Sequence, residues 1–318
     1  MKSYLRASSL LFNQPLLVLP DMLDLGVRWA NQTMNLNIIN LNTGPVNAQA
    51  ELRSHEAVAL EVEQGQEQRR AGISNTGVEV IPVHGVLVSR GAHLDPCETM
   101  TSYEGLRAQL RQAVADPMVE HIVLDIDSPG GSATGAFELA ADIRAFAQQK
   151  PITGLVNFMA YSGGYLIASA CTEMVVSLTS GVGSIGVIAS HMDRSKMEEN
   201  MGIKVTTVFA GAHKNDLSPH EPITEQSLKF LNELVQESYQ LFVGAVAEYR
   251  GLSPEVIKAT EAGLYRGQNA ITAGLADRLS TPQDAVDNIS RAVAQSRANR
   301  QAGRVSVRAA AMNIQARI

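Results

Sequence analysis

Residues 121–171 read HIVLDIDSPGGSATGAFELAADIRAFAQQKPITGLVNFMAYSGGYLIASAC, and the fold class is decided within them. His121–Asp127 is an apolar, β-branched run of strand length. SPGGSATG, residues 128–135, is turn chemistry. Ala136–Gln149 reads as a helix and Ile152–Asn157 as a second strand. A turn at Ser162–Gly164 then leads into an Ala-rich helix ending at Cys171. Strand and helix in alternation imply parallel βαβ units in an α/β layered domain. Sites on such a domain lie at the carboxyl ends of strands, where loops meet helix N-termini.

The same texture extends outward. VEVIPVHGVLV (78–88), interrupted by Pro82 and Gly85, predicts a strand pair or a bulged strand. Tyr103–Asp116 carries Leu106, Leu110 and Val114 at helical spacing. Downstream, Glu173–Ser177, Ile185–Ala189 and Val205–Phe209 read as strands, and Arg194–Met201 as a short helix. Thr224–Arg250 is a long amphipathic helix. Shorter helices are predicted over Pro254–Ala262, Asn269–Gly274 and Asp284–Ala294. Residues 1–50 show weak periodicity, and 51–72 form a Glu/Gln-rich solvated helix or linker. The expected division is an N-terminal arm and linker (1–76), a main domain (77–285) and a basic C-terminal tail (286–318).

Composition narrows the functional classes. Of 318 residues, 45% are hydrophobic but only 5% aromatic, so the core is built from Ala, Val, Leu and Ile. A net charge of −6 argues against nucleic acid as the main partner. The charge is uneven, because residues 289–318 hold six arginines and no acid. With Cys97 and Cys171 alone, neither a disulfide framework nor a four-cysteine zinc site can form. The apolar run LLVL between Pro15 and Pro20 is too short for a signal-peptide core or a membrane span. These features predict a protein of a reducing cytoplasm with two free thiols.

Metal and nucleotide signatures (HExxH, CxxC, the phosphate-binding GxxxxGK[ST]) are missing from the sequence. Two glycine turns carry more. Asp127-Ser128-Pro129-Gly130-Gly131 follows a buried strand, and its successive backbone N–H groups suit an oxyanion or a phosphate. A plain Pro-Gly turn is the bland reading of the same residues. Ala160-Tyr161-Ser162-Gly163-Gly164 places a serine at a strand-to-helix turn, as an exposed nucleophile requires. Its bland reading is a serine N-cap, and the motif is not GxSxG. A serine nucleophile needs a base. Lys214, in the polar loop FAGAHKNDLSPHEP, stands apart from the other lysines. A lysine enclosed by substrate and apolar walls can lose its proton near neutral pH. His191 and His213 are rival bases, and composition and spacing do not choose among the three.

Longer motifs do choose. HGVLV (84–88), LDIDSPGG (124–131), YSGGYLIASA (161–170), TSGVGSIGV (179–187), AGAHKND (210–216) and GLYRGQNAITAGLADRL (263–279) stand in order. In these the chain resembles the signal peptide peptidase A-like serine peptidases, which use a Ser–Lys dyad. FNQPLLVLP (12–20), MTSYEGL (100–106), ADPMVEHIVLDIDSPGG (115–131) and GAHKNDLSPHEP (211–222) are most similar to the lambda-type phage capsid assembly (head maturation) proteases within that family. The resemblance implies a ClpP/crotonase-like fold of repeated ββα units. It implies Ser162 as nucleophile, Lys214 as general base and Ser184 as the hydroxyl that orients the lysine. Backbone N–H groups of Gly130 or Gly131 and of Gly163 would form the oxyanion hole. It further implies no cofactor or metal, no requirement for nucleic acid and no membrane. Phage scaffold, portal and capsid proteins, and the protease itself, would be substrates of a homo-oligomer working in the host cytoplasm within the prohead. The alternatives are a cytosolic host peptidase of the same family and a crotonase-like acyl-CoA enzyme.

Overall fold

The computed structural model describes residues 13–19, 69, 71–91 and 100–315. Most of the expected arm and linker, and Cys97, lie outside the described residues. In chain order the elements are β1 (Leu16–Val18), β2 (Val78–Val88), β3 (Met100–Ser102), α1 (Tyr103–Ala115), β4 (His121–Ser132), α2 (Ala136–Ala147), β5 (Ile152–Tyr161), α3 (Gly163–Ser169), β6 (Glu173–Val176) and β7 (Gly181–Gly183). They continue as α4 (Ser195–Asn200), α5 (Glu225–Arg250), α6 (Pro254–Lys258), β8 (Leu264–Arg266), α7 (Gly267–Thr272), β9 (Arg278–Leu279) and α8 (Pro282–Gln315). The expected α/β fold is the one observed.

The central sheet runs β3-β2-β4-β5-β6-β9, every neighbouring pair parallel. Such a sheet must be covered on both faces, and the alternation along β4 shows how. Ile122, Leu124 and Ile126 point into the larger core with Leu106 and Leu110 of α1, Leu139 and Ile143 of α2, Leu166 of α3, and Phe242 and Val246 of α5. Burying each such Leu or Ile contributes about 1.5–3 kcal/mol. Val123 points the other way and joins Val78, Leu155 and Val175 beneath Ala285, Ile289 and Val293 of α8.

Helix ends follow local chemistry. The Ser102 hydroxyl accepts the Gly105 N–H at the start of α1, and Thr224 accepts the Ser227 N–H at the start of α5. Gly251 closes α5 in the left-handed conformation. The α5 end is tied to the sheet by Asp277, which accepts Arg250 Nη1 at 2.8 Å, Arg250 Nη2 at 2.7 Å and the Met174 N–H at 2.7 Å. Burial disfavours the charged carboxylate, but the Arg250 pair and the Met174 N–H outweigh it and hold the Asp277 carboxyl below its ordinary value. A depressed carboxyl stabilises the fold fully above the ordinary carboxylate range, and that stability is lost as pH falls through the folded-state value. Asp277→Asn should therefore cost about 1–3 kcal/mol at neutral pH. Thermal unfolding scans of variant and parent should converge as the pH falls through the folded-state value.

Three predicted elements differ. Val205–Phe209 forms no strand, since among the described residues no strand lies beside it to complete a ladder; Val205, Val208 and Phe209 are instead exposed. Ile185–Ala189 contributes a single bridge, Ile188 to Leu16. SPGG is not a loop: β4 runs on to Ser132, since β1 and β2 supply its ladder partners. The last helix also extends far beyond Ala294, to Gln315. Its first half packs on the sheet, and Arg297 and Arg300 both pair with Glu120. Part of the basic segment is thus spent on the chain's own surface.

Candidate active site

The long strands bend where they approach the site. The β2–β4 register shifts between His84 and Val86, and the β4–β5 register between Ile126 and Ser128. β5 pairs with β6 over Thr153–Val156 and then with β7 over Met159–Tyr161. Beyond these bulges the strand ends take new partners, as bulges permit. Ser128 pairs with Ala160, and Tyr161 with Gly183. Ser162 and Ser184 each come one residue after a paired position, so the topology sets them side by side.

Ser162 is fully buried, at φ 52° and ψ −115° immediately before α3. Its N–H donates to Gly183 O at 2.9 Å, its carbonyl accepts Leu166 N–H at 3.0 Å, and its hydroxyl reaches Gly186 O at 3.5 Å. A non-glycine residue held at positive φ costs about 1–3 kcal/mol and persists only where its surroundings impose it. Ser184 is also buried, at φ 55°, with its N–H on Gly263 O at 3.0 Å.

The glycines meet at Ser162. A Cβ built on Gly130 (φ 103°) would lie 3.0 Å from Gly163 N, and one on Gly163 would lie 3.4 Å from Gly131 N. The Ser128 hydroxyl accepts the Gly130 N–H at 3.1 Å and donates to Gly85 O at 2.7 Å, which pins the turn. Asp127, next along β4, has its carboxyl raised by burial and by Asp125, against an opposing His84. Of the expected residues, Ser162, Ser184, Gly130, Gly131 and Gly163 are thus brought together.

Lys214 is not brought to them within one chain. It lies on an exposed turn over 211–217, with no side-chain partner among the described residues. That turn is anchored by Asp216, which pairs with His213 and accepts from Gln226 and Ser227 at the start of α5. Of the rival bases, His213 Nδ1 lies 2.7 Å from Asp216, and His191 Nδ1 lies 3.2 Å from Asn13 Oδ1. The sequence reading missed β1. LLV is too short to register as a strand, and its partners lie more than a hundred residues away.

Ser162 is thus a buried serine on a strained turn beside three glycines, where the sequence led us to expect an exposed one. Residues 144–296 match the family model for peptidase family S49. The match covers 153 of the 318 residues. It is 38% identical over 283 residues to the capsid assembly protease C of Escherichia phage lambda, covering 88% of this chain and 64% of that protein. It is 41% identical over 210 residues to the head-tail preconnector protein GP5 of Enterobacteria phage P21, covering 66% of this chain and 42% of that protein. A putative signal peptide peptidase of Enterococcus faecium is 28% identical over 226 residues, covering 70% of this chain and 66% of that protein. Among solved structures, a ClpP1 mutant from Listeria monocytogenes matches with a TM-score of 0.42 and 12% identity, over 69% of this chain and 99% of that one. The chain thus spans less than two thirds of the lambda protein and less than half of the P21 protein.

Proposed function

We propose that the chain is a serine endopeptidase that processes phage capsid-assembly proteins during prohead maturation. The placement of Ser162 against Gly130, Gly131 and Gly163 carries this reading, and the likeness to lambda protease C supports its biological setting. Ser162 Oγ attacks the peptide carbonyl and passes its proton to Lys214 Nζ. Backbone N–H groups of the glycine cradle receive the oxyanion. Lys214 then protonates the leaving amine, and water hydrolyses the acyl-enzyme through the same base. Ser184 orients the lysine amine.

The exposed position of Lys214 fits a homo-oligomer. Residues 201–209 present Met201, Ile203, Val205, Val208 and Phe209 to solvent in the single chain. Contact with a second copy would cover them and complete the site. Substrates are taken to be scaffold, portal and capsid proteins, and the setting the host cytoplasm and the prohead. Co-expression with the neighbouring capsid and scaffold proteins tests this. Mass spectrometry should find new termini with the wild-type chain and none with Ser162→Ala. Identical termini from both would overturn the proposal.

A further inference from the structure

We propose that residues 13–19 occupy the cleft in which this domain binds an extended peptide, with Leu17 in the position of the residue whose carbonyl Ser162 attacks; the assignment of that attack rests on the serine-peptidase reading above. The main chain of this segment is hydrogen-bonded on both edges. Along β4, Leu19 N–H donates to Pro129 O at 3.2 Å and Ala133 N–H to Pro15 O at 3.4 Å. On the other side, Leu16 N–H donates to Ile188 O at 2.8 Å, Ile188 N–H to Leu16 O at 3.0 Å, and Asn13 N–H to Ser190 O at 2.9 Å.

The register locates the carbonyl. Leu17 stands opposite Gly131 in an antiparallel pair, midway between the two bonds along β4. Hydrogen-bonded pairs recur every second residue, so the Leu17 carbonyl faces the Gly131 N–H. The same oxygen lies 1.9 Å from where a Gly130 Cβ would stand and 3.3 Å from where a Gly163 Cβ would stand. It therefore faces the Gly131 N–H and lies against Gly130 and Gly163, within the glycine cradle that the mechanism assigns to the oxyanion.

The rest of the segment fits a peptide in a cleft. Leu16 and Val18 pack with Ile188, while Leu17 is fully buried in the main core. Main-chain bonds on both edges with pockets for alternate side chains are the mode by which sheets take up peptides. Asn13 Nδ2 donates to Leu217 O at 3.1 Å, so the segment reaches from the glycine turn to the loop that carries Lys214. The occupant belongs to the chain itself, and the ligand class it defines is an extended aliphatic peptide with leucine before the bond to be cut. A substrate from another molecule must displace it.

The test compares the full chain with Leu17→Asp, which sets a charge in the buried position. Labelling of Ser162 by a fluorophosphonate should rise about tenfold or more, since apparent reactivity scales with the open fraction. A synthetic FNQPLLVLP peptide, residues 12–20, should suppress labelling of the variant and leave the parent unchanged. Asn13→Ala, which loosens the anchor without touching the core, should give a smaller rise and keeps the comparison decisive if Leu17→Asp unfolds. Equal labelling of parent and both variants, with no effect of the peptide, overturns the proposal. Fluorescence anisotropy of the labelled peptide on Ser162→Ala chains separates the two readings. Binding to the Leu17→Asp form alone, with no Ser162 labelling in any form, would keep the cleft and discard the nucleophile. Binding to neither form, or to both alike, discards the cleft.

Discussion

Ser162→Ala should leave a folded chain that has lost peptide hydrolysis by about 10⁴-fold or more, the scale seen when a serine nucleophile is removed from its catalytic unit. The structure argues that the loss is chemical. Among the described residues the only side-chain bond lost is a long one, 3.5 Å to Gly186 O, and alanine tolerates the turn about as well as serine. Lys214→Ala should bring activity to a similar floor for a different reason. The side chain is exposed and unpartnered among the described residues, so removing it costs little stability. Turnover of a peptide reporter should vanish in both variants while the melting temperature stays within a few degrees of the parent. A Lys214→Ala chain that kept its activity, alongside a dead His191→Ala or His213→Ala chain, would return the base to histidine.

The parts of this site that were legible in the sequence are the local ones. Ser162 and Gly163 sit at a strand-to-helix turn, and Gly130 and Gly131 end an apolar run; both signals lie within a dozen residues. The meeting of the two turns was not legible from pattern, since it depends on the parallel register of β4 on β5 and on the bulges that bend them. β1 escaped for a related reason. Three residues carry no periodicity, and Leu16–Val18 is a strand only because Gly130–Ser132 and Ile188 stand on either side of it. The opposite error occurred at Val205–Phe209, where an apolar, β-branched run has strand chemistry but no partner strand among the described residues. The basic C-terminal stretch was legible as charge and not as structure: Arg297 and Arg300 turn inward to Glu120, and Ile289 and Val293 fill the far face of the sheet.

Gly130→Ala should abolish turnover by a single added methyl. Gly130 holds φ 103°, which an L side chain rarely adopts, and the new Cβ would stand 1.9 Å from the Leu17 carbonyl. Backbone strain alone costs about 1–3 kcal/mol. The clash cannot be relieved by rotating a side chain, because the obstacle is main-chain oxygen. The turn must move, and a moved turn misplaces an oxyanion donor, which costs about 10²–10³ in rate. The neighbouring glycine separates site from fold. A Cβ on Gly131 would meet Leu87 O at 1.9 Å, so Gly131→Ala forces apart β2 and β4 and should lower the melting temperature most. Gly244, exposed in the middle of α5 with nothing within 4 Å of its Cβ position, is the control. Gly244→Ala should leave activity intact and raise stability by about 0.5–1 kcal/mol. Denaturant titrations and peptidase rates on the three variants should rank stability as Gly244→Ala, Gly130→Ala, Gly131→Ala. Only the first should retain turnover, and a Gly130→Ala chain with parental turnover would remove that turn from the oxyanion hole.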